Sequence, residues 1–300
     1  MKTLDDLVQA VDRSKRKTVA VAQAADTEVL KAVKMSLESG IAHFALVGNH
    51  EEIKRLALDV ELDLDQKGVE VISASIQNCA GTAVKEVKDG RADVVMKGHI
   101  DTKTLLRAVL NKDYGLRKSS VLSHVALFEI PGREKMTFLT DAAMNIEPTL
   151  EEKVQIINNA VEVAHKAGWE YPKVAPLAAV EVVNPAMKAT QDAALLTQMN
   201  RRGQIKGCVV DGPLAFDNAV DQKAAKQKGV QSEVAGNADI LVVPTIEVAN
   251  ALYKSFIYFA QAKVAGVISG AQAPIVLTSR ADDAENKIYS LALALKASQS

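Results

Sequence analysis

The stretch TVAVAQAADTEVLKAVKMSLESGIAHFALVG, residues 18–48, decides the fold class. It begins and ends with short apolar runs, 18–24 and 41–48, of the kind that form buried strands. Between them the apolar residues recur at helical spacing, with Asp26 where an N-cap is expected and Gly40 near the helix end. A strand, a helix and a second strand at this spacing predict parallel strands joined by a crossover helix.

The same alternation continues along most of the chain. It pauses at two apolar runs, 119–130 and 135–145, which lie on either side of a Pro-Gly turn and predict a hairpin. Thr149 and Glu152 then have the spacing of a capping box at the start of a long helix. The alternation resumes after that helix, so we predict two α/β domains with parallel-rich sheets and a ligand site in the cleft between them.

Composition narrows the class of protein. The 300 residues include 36 Lys and Arg and 37 Asp and Glu, and this balance of charge gives no reason to expect a nucleic acid or a membrane surface as partner. Cys79 and Cys208 are the only cysteines and show no zinc-site spacing, so we expect no metal. The first residues do not resemble a signal peptide, and no apolar run approaches the roughly 18 residues of a membrane span. We therefore expect a soluble, cytoplasmic protein.

Polar side chains follow the predicted strands at the edge where α/β proteins bind ligands. They are Thr102, Lys103 and Arg107; Asp141 and Asn145; Asp211; Asn250 and Lys254; and Thr278, Ser279 and Arg280. Hydroxyls, cationic side chains and helix N-termini suit a phosphate or acyl-phosphate anion. Simpler roles are open for several of them, such as caps for Thr278, Ser279 and Asp141, a turn for Asp211 and a solvated helix face for Arg107. No Walker motif, GxGxxG or GxSxG signals a nucleotide or serine hydrolase.

Five segments in order resemble the phosphate acetyl/butyryltransferase family, and together they cover most of the chain. They are VMKGHIDTKTLLRAVLN (95–111), FLTDAAMNIEPTLEEK (138–153), VVDGPLAFDNAV (209–220), AGNADILVVPTIEVANALYK (235–254) and PIVLTSRADDAENKIYSLALA (274–294). The first block and the compact length favour the butyryl branch. The resemblance implies a fold related to that of isocitrate dehydrogenase, with 1–146 plus 275–300 in one domain and 147–274 in the other. It also implies a homodimer or a higher homo-oligomer.

The implied reaction is acyl transfer between coenzyme A and phosphate, with butanoyl-CoA or a branched short acyl-CoA as donor. Coenzyme A is a substrate in this scheme, and no cofactor, metal or covalent enzyme intermediate is needed. By resemblance, Arg280 binds the phosphate and Ser279 donates to the carbonyl oxygen as charge develops. Binding of phosphate or CoA is assigned to the remaining site residues: Thr102, Lys103, Arg107, Asp211, Asn250 and Lys254.

EVAN (247–250) replaces the xxGN pattern of the family, and a second departure concerns the base for the CoA thiol. Acetyl-branch relatives carry an Asp about six residues after the arginine as candidate base for the CoA thiol, and Asn286 stands there instead. Glu285 and Asp283 are neighbouring carboxylates, and the alternative is that CoA ionises without a dedicated base. Three alternative functions are open at this point: a phosphate acetyltransferase, an NAD-dependent decarboxylating dehydrogenase on the related fold, and a phosphate-ligand binding protein without catalysis.

Overall fold

The computed structural model describes residues 1–277 and 284–298, and it confirms the α/β class. The helices are α1 (Leu4–Gln9), α2 (Thr27–Glu38), α3 (His50–Asp59), α4 (Cys79–Lys88), α5 (Thr102–Val109), α6 (Leu150–Ala167), α7 (Lys188–Arg201), α8 (Phe216–Val220), α9 (Gln222–Gln227), α10 (Ile246–Tyr258) and α11 (Ala284–Ala297). The strands are β1 (Lys17–Ala22), β2 (Ala42–Gly48), β3 (Val69–Ser73), β4 (Val94–Lys97), β5 (Ser123–Glu129), β6 (Thr137–Thr140), β7 (Lys173–Pro176), β8 (Val209–Val210), β9 (Ile240–Val242), β10 (Lys263–Ser269) and β11 (Ile275–Val276).

The chain forms two compact units. The terminal unit comprises Leu4–Ser120 and Ala265–Ser300, and the central unit comprises Val121–Val264 with Met1–Thr3. The predicted boundaries, at 146/147 and 274/275, stay a prediction. The hairpin of β5 and β6 falls in the central unit, where β6 pairs in parallel with β9. The cleft expected between the two domains stays a prediction.

In the terminal unit the strand order is β3-β2-β1-β4-β11-β10. Every pair from β3 to β11 is parallel, and β10 runs antiparallel to β11. Helix α4 packs on β1, β2 and β4, while α11 packs on α1, α2 and β11. Helix α11 is a core helix, because Leu291, Leu293 and Leu295 are fully buried along with the residues between them.

In the central unit the strand order is β5-β6-β9-β7-β8. Strands β6, β9, β7 and β8 are parallel, and β5 is the antiparallel strand of the predicted hairpin. Aromatic side chains dominate part of the core, where Phe128 lies edge-on to both Tyr253 and Phe256 at 5.1 Å between ring centroids. These contacts fix α10 against the sheet.

Local sequence signals explain where the predicted helices begin and end. Asp26 caps α2 by accepting the Val29 N–H, as expected. Thr149 and Glu152 form the complete capping box at the start of α6, and Gly168 ends that helix with φ of 108°. Strand β10 was not predicted from the sequence. It is a seven-residue strand that bonds to β11, and a glycine interrupts its apolar run.

Candidate functional site

The strand order of the terminal unit places a switch point between β1 and β4. The chain moves outward from β1 through β2 to β3 and then returns to β4 on the other side of β1. In open α/β sheets the crevice for a ligand lies outside the carboxyl ends of the strands at such a reversal. The residues that follow β1 and β4 are therefore the first candidates for ligand contacts in this unit.

Helix α5 begins directly beyond β4 and carries three of the predicted site residues. Its N-cap is Asp101, whose carboxylate accepts the Thr104 N–H at 2.8 Å. Hydrogen bonds from Thr104 hold the pKa of Asp101 below its ordinary value, with a smaller contribution from the Arg107 charge. Thr102, Lys103 and Arg107 are exposed, and the last two are four residues apart on one helix face. Thr102 and Lys103 thus lie in the first turn of α5 and Arg107 in its last turn, and their role in binding substrate stays a prediction.

Gly98 is required at the end of β4 because the backbone of β1 passes very close to it. A Cβ on Gly98 would lie 2.7 Å from the Ala22 carbonyl oxygen and would also collide with the carbonyl of Gln23. The Gly98 N–H donates to that same Ala22 oxygen at 2.9 Å. Lys97, the preceding residue, is 8 % exposed and was not singled out from the sequence. A lysine closing an apolar strand just before a glycine is the signal that could have identified it.

The central unit has its own reversal, between β7 and β9, and α10 follows β9. Asn250 and Lys254 are both exposed, one helical turn apart on α10. The Tyr253 side chain between them points inward, with its ring centroid 6.1 Å from that of His124. Glu247, on the first turn of α10, has a lowered pKa because its own backbone N–H and the Thr245 hydroxyl bond to the carboxylate. The structure therefore presents Asn250 and Lys254 together on the outer face of an anchored helix.

Asp211 lies apart from Asn250 and Lys254. It follows β8, which is the edge strand and lies two strands from β9, a separation of about 10 Å at the ordinary spacing of strands. Its carboxylate is 3.8 Å from the guanidinium of Arg201. The structure thus gives Asp211 a partner on α7, and its predicted role in binding substrate stays a prediction.

Ser279 and Arg280 lie outside the described residues, as does Asp283. The strand that leads to them, β11, pairs in parallel with β4, with Val276 opposite Met96. Asn286 lies on α11 and is half-buried. The neighbouring carboxylate of Glu285 is 2.8 Å from the Tyr289 hydroxyl, which is also 2.9 Å from Asp5. Glu285 is thus held by a contact within the helix layer.

Asp141 has a structural role that the sequence did not define. It is 3 % exposed, and one carboxylate oxygen accepts the backbone N–H groups of His124, Ala143 and Met144 at 3.0–3.1 Å. The other oxygen accepts the backbone N–H and the side-chain amide of Asn145. Burial lowers the pKa of His124, although the nearby Asp141 charge opposes that shift. The acid of the FLTDAAMN block therefore organises the turn after β6.

A buried ion pair at the β7–β9 reversal was also missed. Lys153 on α6 is 5 % exposed and bonds to Asp192 on α7 at 2.7 Å, and Lys188 bonds to the same carboxylate at 2.8 Å. Burial opposes the charge on Asp192, but the two lysines hold its pKa below the ordinary value. The pair adjoins a small cavity lined by Pro176, Leu177, Val242 and Val243. A lysine in the second turn of an amphipathic helix gives no sequence signal of burial.

Two kinds of feature are absent from the part of the chain that is described. No cluster of three or more His, Cys, Asp or Glu side chains is arranged to hold a metal ion. No helix among residues 1–277 and 284–298 has the length and apolar character needed to cross a membrane.

Comparison with known proteins gives the class of this chain. The model of the family described as phosphate acetyl/butaryl transferase matches residues 2–80 and 67–295. A probable phosphate butyryltransferase of Bacillus subtilis is 56 % identical over 99 % of this chain and 98 % of its own. The phosphate butyryltransferase of Clostridium acetobutylicum is 49 % identical over 98 % and 97 %. The crystal structure of a branched-chain phosphotransacylase from Enterococcus faecalis superposes with a TM-score of 0.83, at 37 % identity, over 94 % of this chain and 99 % of that one.

The chain belongs to the phosphate acetyl/butyryl transferase family. It is accordingly an acyltransferase that uses phosphate, and the dehydrogenase alternative is not favoured.

Proposed function

We propose that the protein interconverts butanoyl-CoA and phosphate with butanoyl phosphate and CoA, and that it accepts branched short acyl-CoA as well. The observation that carries the site assignment is the pair of exposed cations, Lys103 and Arg107, on the helix that begins at the β1–β4 switch point. An anion bound along this helix face would meet Lys103 in the first turn of α5 and Arg107 one turn further on. Butanoyl and branched-chain transfer are what the similar proteins named above are described as doing.

The reaction proceeds by direct attack with both substrates bound. A phosphate oxygen attacks the thioester carbonyl, the tetrahedral centre carries a negative oxygen, and the carbon–sulfur bond then breaks to release the CoA thiolate, which takes a proton. The reverse reaction begins with attack by that thiolate on the acyl phosphate. Hydrogen-bond donors fixed at the developing negative charge lower the activation barrier. Holding both substrates together in one complex accounts for the rest of the rate enhancement.

Ser279 and Arg280 are proposed for those catalytic donors on the basis of the family resemblance. Ser279 donates to the carbonyl oxygen and Arg280 binds the phosphate. Thr102, Lys103 and Arg107 are proposed to bind phosphate or CoA through the terminal unit, and Asn250 and Lys254 through the central unit. An amide cannot accept a proton, so Asn286 is not a base for the thiol. We propose that CoA ionises without a dedicated base, since a thiol pKa near 8.5 needs little assistance beside cations.

Further properties belong to the same proposal. The protein needs no resident cofactor or metal, with coenzyme A as a substrate, and it works in the cytoplasm as a homodimer or higher homo-oligomer. Support for self-association comes from the end of α10, where Tyr258 is 75 % exposed and the following Phe259 is 89 % exposed. Analytical ultracentrifugation at micromolar concentration tests this, and a monomer would overturn the oligomer.

One assay tests the reaction. The purified protein is incubated with acetyl-, butanoyl- or isobutanoyl-CoA, with and without phosphate, and free thiol is followed with a thiol reagent. We expect phosphate-dependent release of thiol, with kcat/KM highest for butanoyl-CoA. A preference for acetyl-CoA would make the protein a phosphate acetyltransferase instead, and no phosphate-dependent release from any donor would refute the proposal.

A matched pair of variants tests the site. Arg107→Ala removes a charge-assisted contact of about 1.5–3 kcal/mol, so kcat/KM is expected to fall about tenfold or more. Arg55→Ala removes another exposed arginine, on α3, where Arg55 pairs with Asp59 at 3.4 Å, and is expected to leave kcat/KM unchanged. Equal activity of the two variants would remove Arg107 from the site.

A further inference from the structure

Gln23 has an unusual backbone conformation for its position. Its φ is 60°, in the left-handed region, and the side chain is 5 % exposed. The other non-glycine residues with positive φ in the described ranges are Glu61 and Gln261, and both are exposed and follow the ends of α3 and α10. A left-handed residue is an ordinary way to end a helix. Gln23 instead follows a strand, β1, and it does so at the switch point.

The left-handed turn directs the Gln23 carbonyl toward the next strand. Its oxygen accepts the His99 N–H at 2.7 Å, beside the bond from the Gly98 N–H to Ala22. The turn between β4 and α5 is therefore bonded to the end of β1 at two successive residues. His99 also lies against Asp26, the N-cap of α2, with 3.4 Å between Nδ1 and Oδ2.

The Gln23 side chain makes a second connection. Its Oε1 accepts the thiol of Cys79 at 3.0 Å, and Cys79 is the fully buried first residue of α4. One residue thus contacts the start of α4 through its amide and the β4–α5 turn through its backbone. Non-glycine residues held in sparsely populated backbone regions are found where the surrounding structure fixes them, and they concentrate at functional sites.

We propose that Gln23 is a positioning residue for substrate binding at α5. Its left-handed backbone fixes the amide of His99, two residues before the N-cap Asp101, and thereby sets where α5 begins. The helix carries Thr102, Lys103 and Arg107, so a displaced start moves the cationic face relative to the carboxyl edge of the sheet. This proposal rests on the proposed function for the role of α5, while Gln23 itself touches no substrate.

The test compares the same substitution at two left-handed positions. Gln23→Val and Glu61→Val each place a β-branched side chain where φ is 60° or 55°, so both backbones are strained alike. We expect Gln23→Val to lower kcat/KM by about ten- to a hundredfold, chiefly through a higher KM for CoA and phosphate. Glu61→Val is expected to lose stability with unchanged KM. Glycine adopts the left-handed region freely, so the KM values of Gln23→Gly are expected to lie close to those of wild type.

The outcomes separate this proposal from the proposed function. An unchanged KM in Gln23→Val, or a Gln23→Gly variant as impaired as Gln23→Val, overturns the backbone role. If Gln23→Val does not fold, Gln23→Ala and Glu61→Ala give the same comparison with less strain. If the wild-type protein shows no acyl transfer, the proposed function fails. Amide hydrogen exchange of residues 98–107 then decides alone: faster exchange in the Gln23 variant than in its Glu61 counterpart supports the positioning role, and equal exchange refutes it.

Discussion

Replacing Asp141 by Asn separates a structural role from a catalytic one. The carboxylate receives the N–H groups of three residues at one oxygen and both N–H donors of Asn145 at the other. In Asp141→Asn the first oxygen remains, but an NH₂ group faces the two Asn145 donors. Two bonds to a charged acceptor are lost, each of about 1.5–3 kcal/mol, so the free energy of unfolding should fall by about 3–6 kcal/mol.

The single tryptophan provides the assay. Trp169 lies in the central unit with its ring edge-on to Phe138 of β6, 5.0 Å between centroids, so its fluorescence reports on the strand that leads to Asp141. Urea titration of wild type and Asp141→Asn gives the loss of stability. Asp12→Asn is the matched control, because Asp12 also accepts a backbone N–H, from Ser14, but is exposed. Its effect should stay within about 0.5 kcal/mol.

The enzymatic activity of Asp141→Asn shows whether the role of Asp141 is structural or catalytic. Well below its unfolding transition, Asp141→Asn should turn over substrate in proportion to the folded fraction. A variant with wild-type stability and no activity would refute the reasoning, because it would make the carboxylate a participant in the chemistry rather than the centre of a turn.

Three further predictions concern charge. Asp192→Asn leaves the buried Lys153 without its counter-ion and should cost about 3–5 kcal/mol at pH 7. The fold lowers the pKa of Asp192, so the full difference in stability between the variant and wild type should be present above pH 3.8, the ordinary carboxyl pKa. The difference should vanish as the pH falls through the lowered pKa of Asp192 in the folded protein. A difference in stability that persists at low pH contradicts this prediction. With acyl phosphate as donor, kcat/KM for CoA should rise with pH up to the pKa of the CoA thiol, and a further inflection at lower pH would reveal a base on the protein. Arg280→Ala should lower kcat by at least about 10²-fold in the thiol assay while Arg202→Ala, on the surface after α7, does not; near-normal turnover would show that Arg280 has no part in the reaction.

Local signals in the sequence predicted most of the elements. The capping box of Thr149 and Glu152, the cap at Asp26 and the Pro-Gly hairpin are all confirmed, because each is decided by residues a few positions apart. The boundaries of the predicted domains stay a prediction, since they depend on which distant strand pairs with β6. That pairing is a tertiary choice which periodicity does not encode.

The site was predictable only in part for the same reason. The cationic face of α5 and the exposed pair on α10 follow from helical spacing, and both were predicted. The left-handed backbone of Gln23 was not, because glutamine carries no signal for positive φ. Asp211 follows a strand as expected, but the order of the strands, which sequence alone does not supply, separates it from β9.

The terminal unit is assembled from the two ends of the described chain, and this has a consequence for folding during synthesis. Strands β1 to β4 leave the ribosome before the central unit, whereas β11 and α11 leave after it. Until then β4 has one unpaired edge, and α1 and α2 lack the apolar helix that covers them. The central unit can fold as soon as it has left the ribosome, but the edge of β4, the strand before α5, is paired only when β11 follows. Chains released early would therefore carry an open strand edge in the terminal unit, the kind of edge that can pair with another chain.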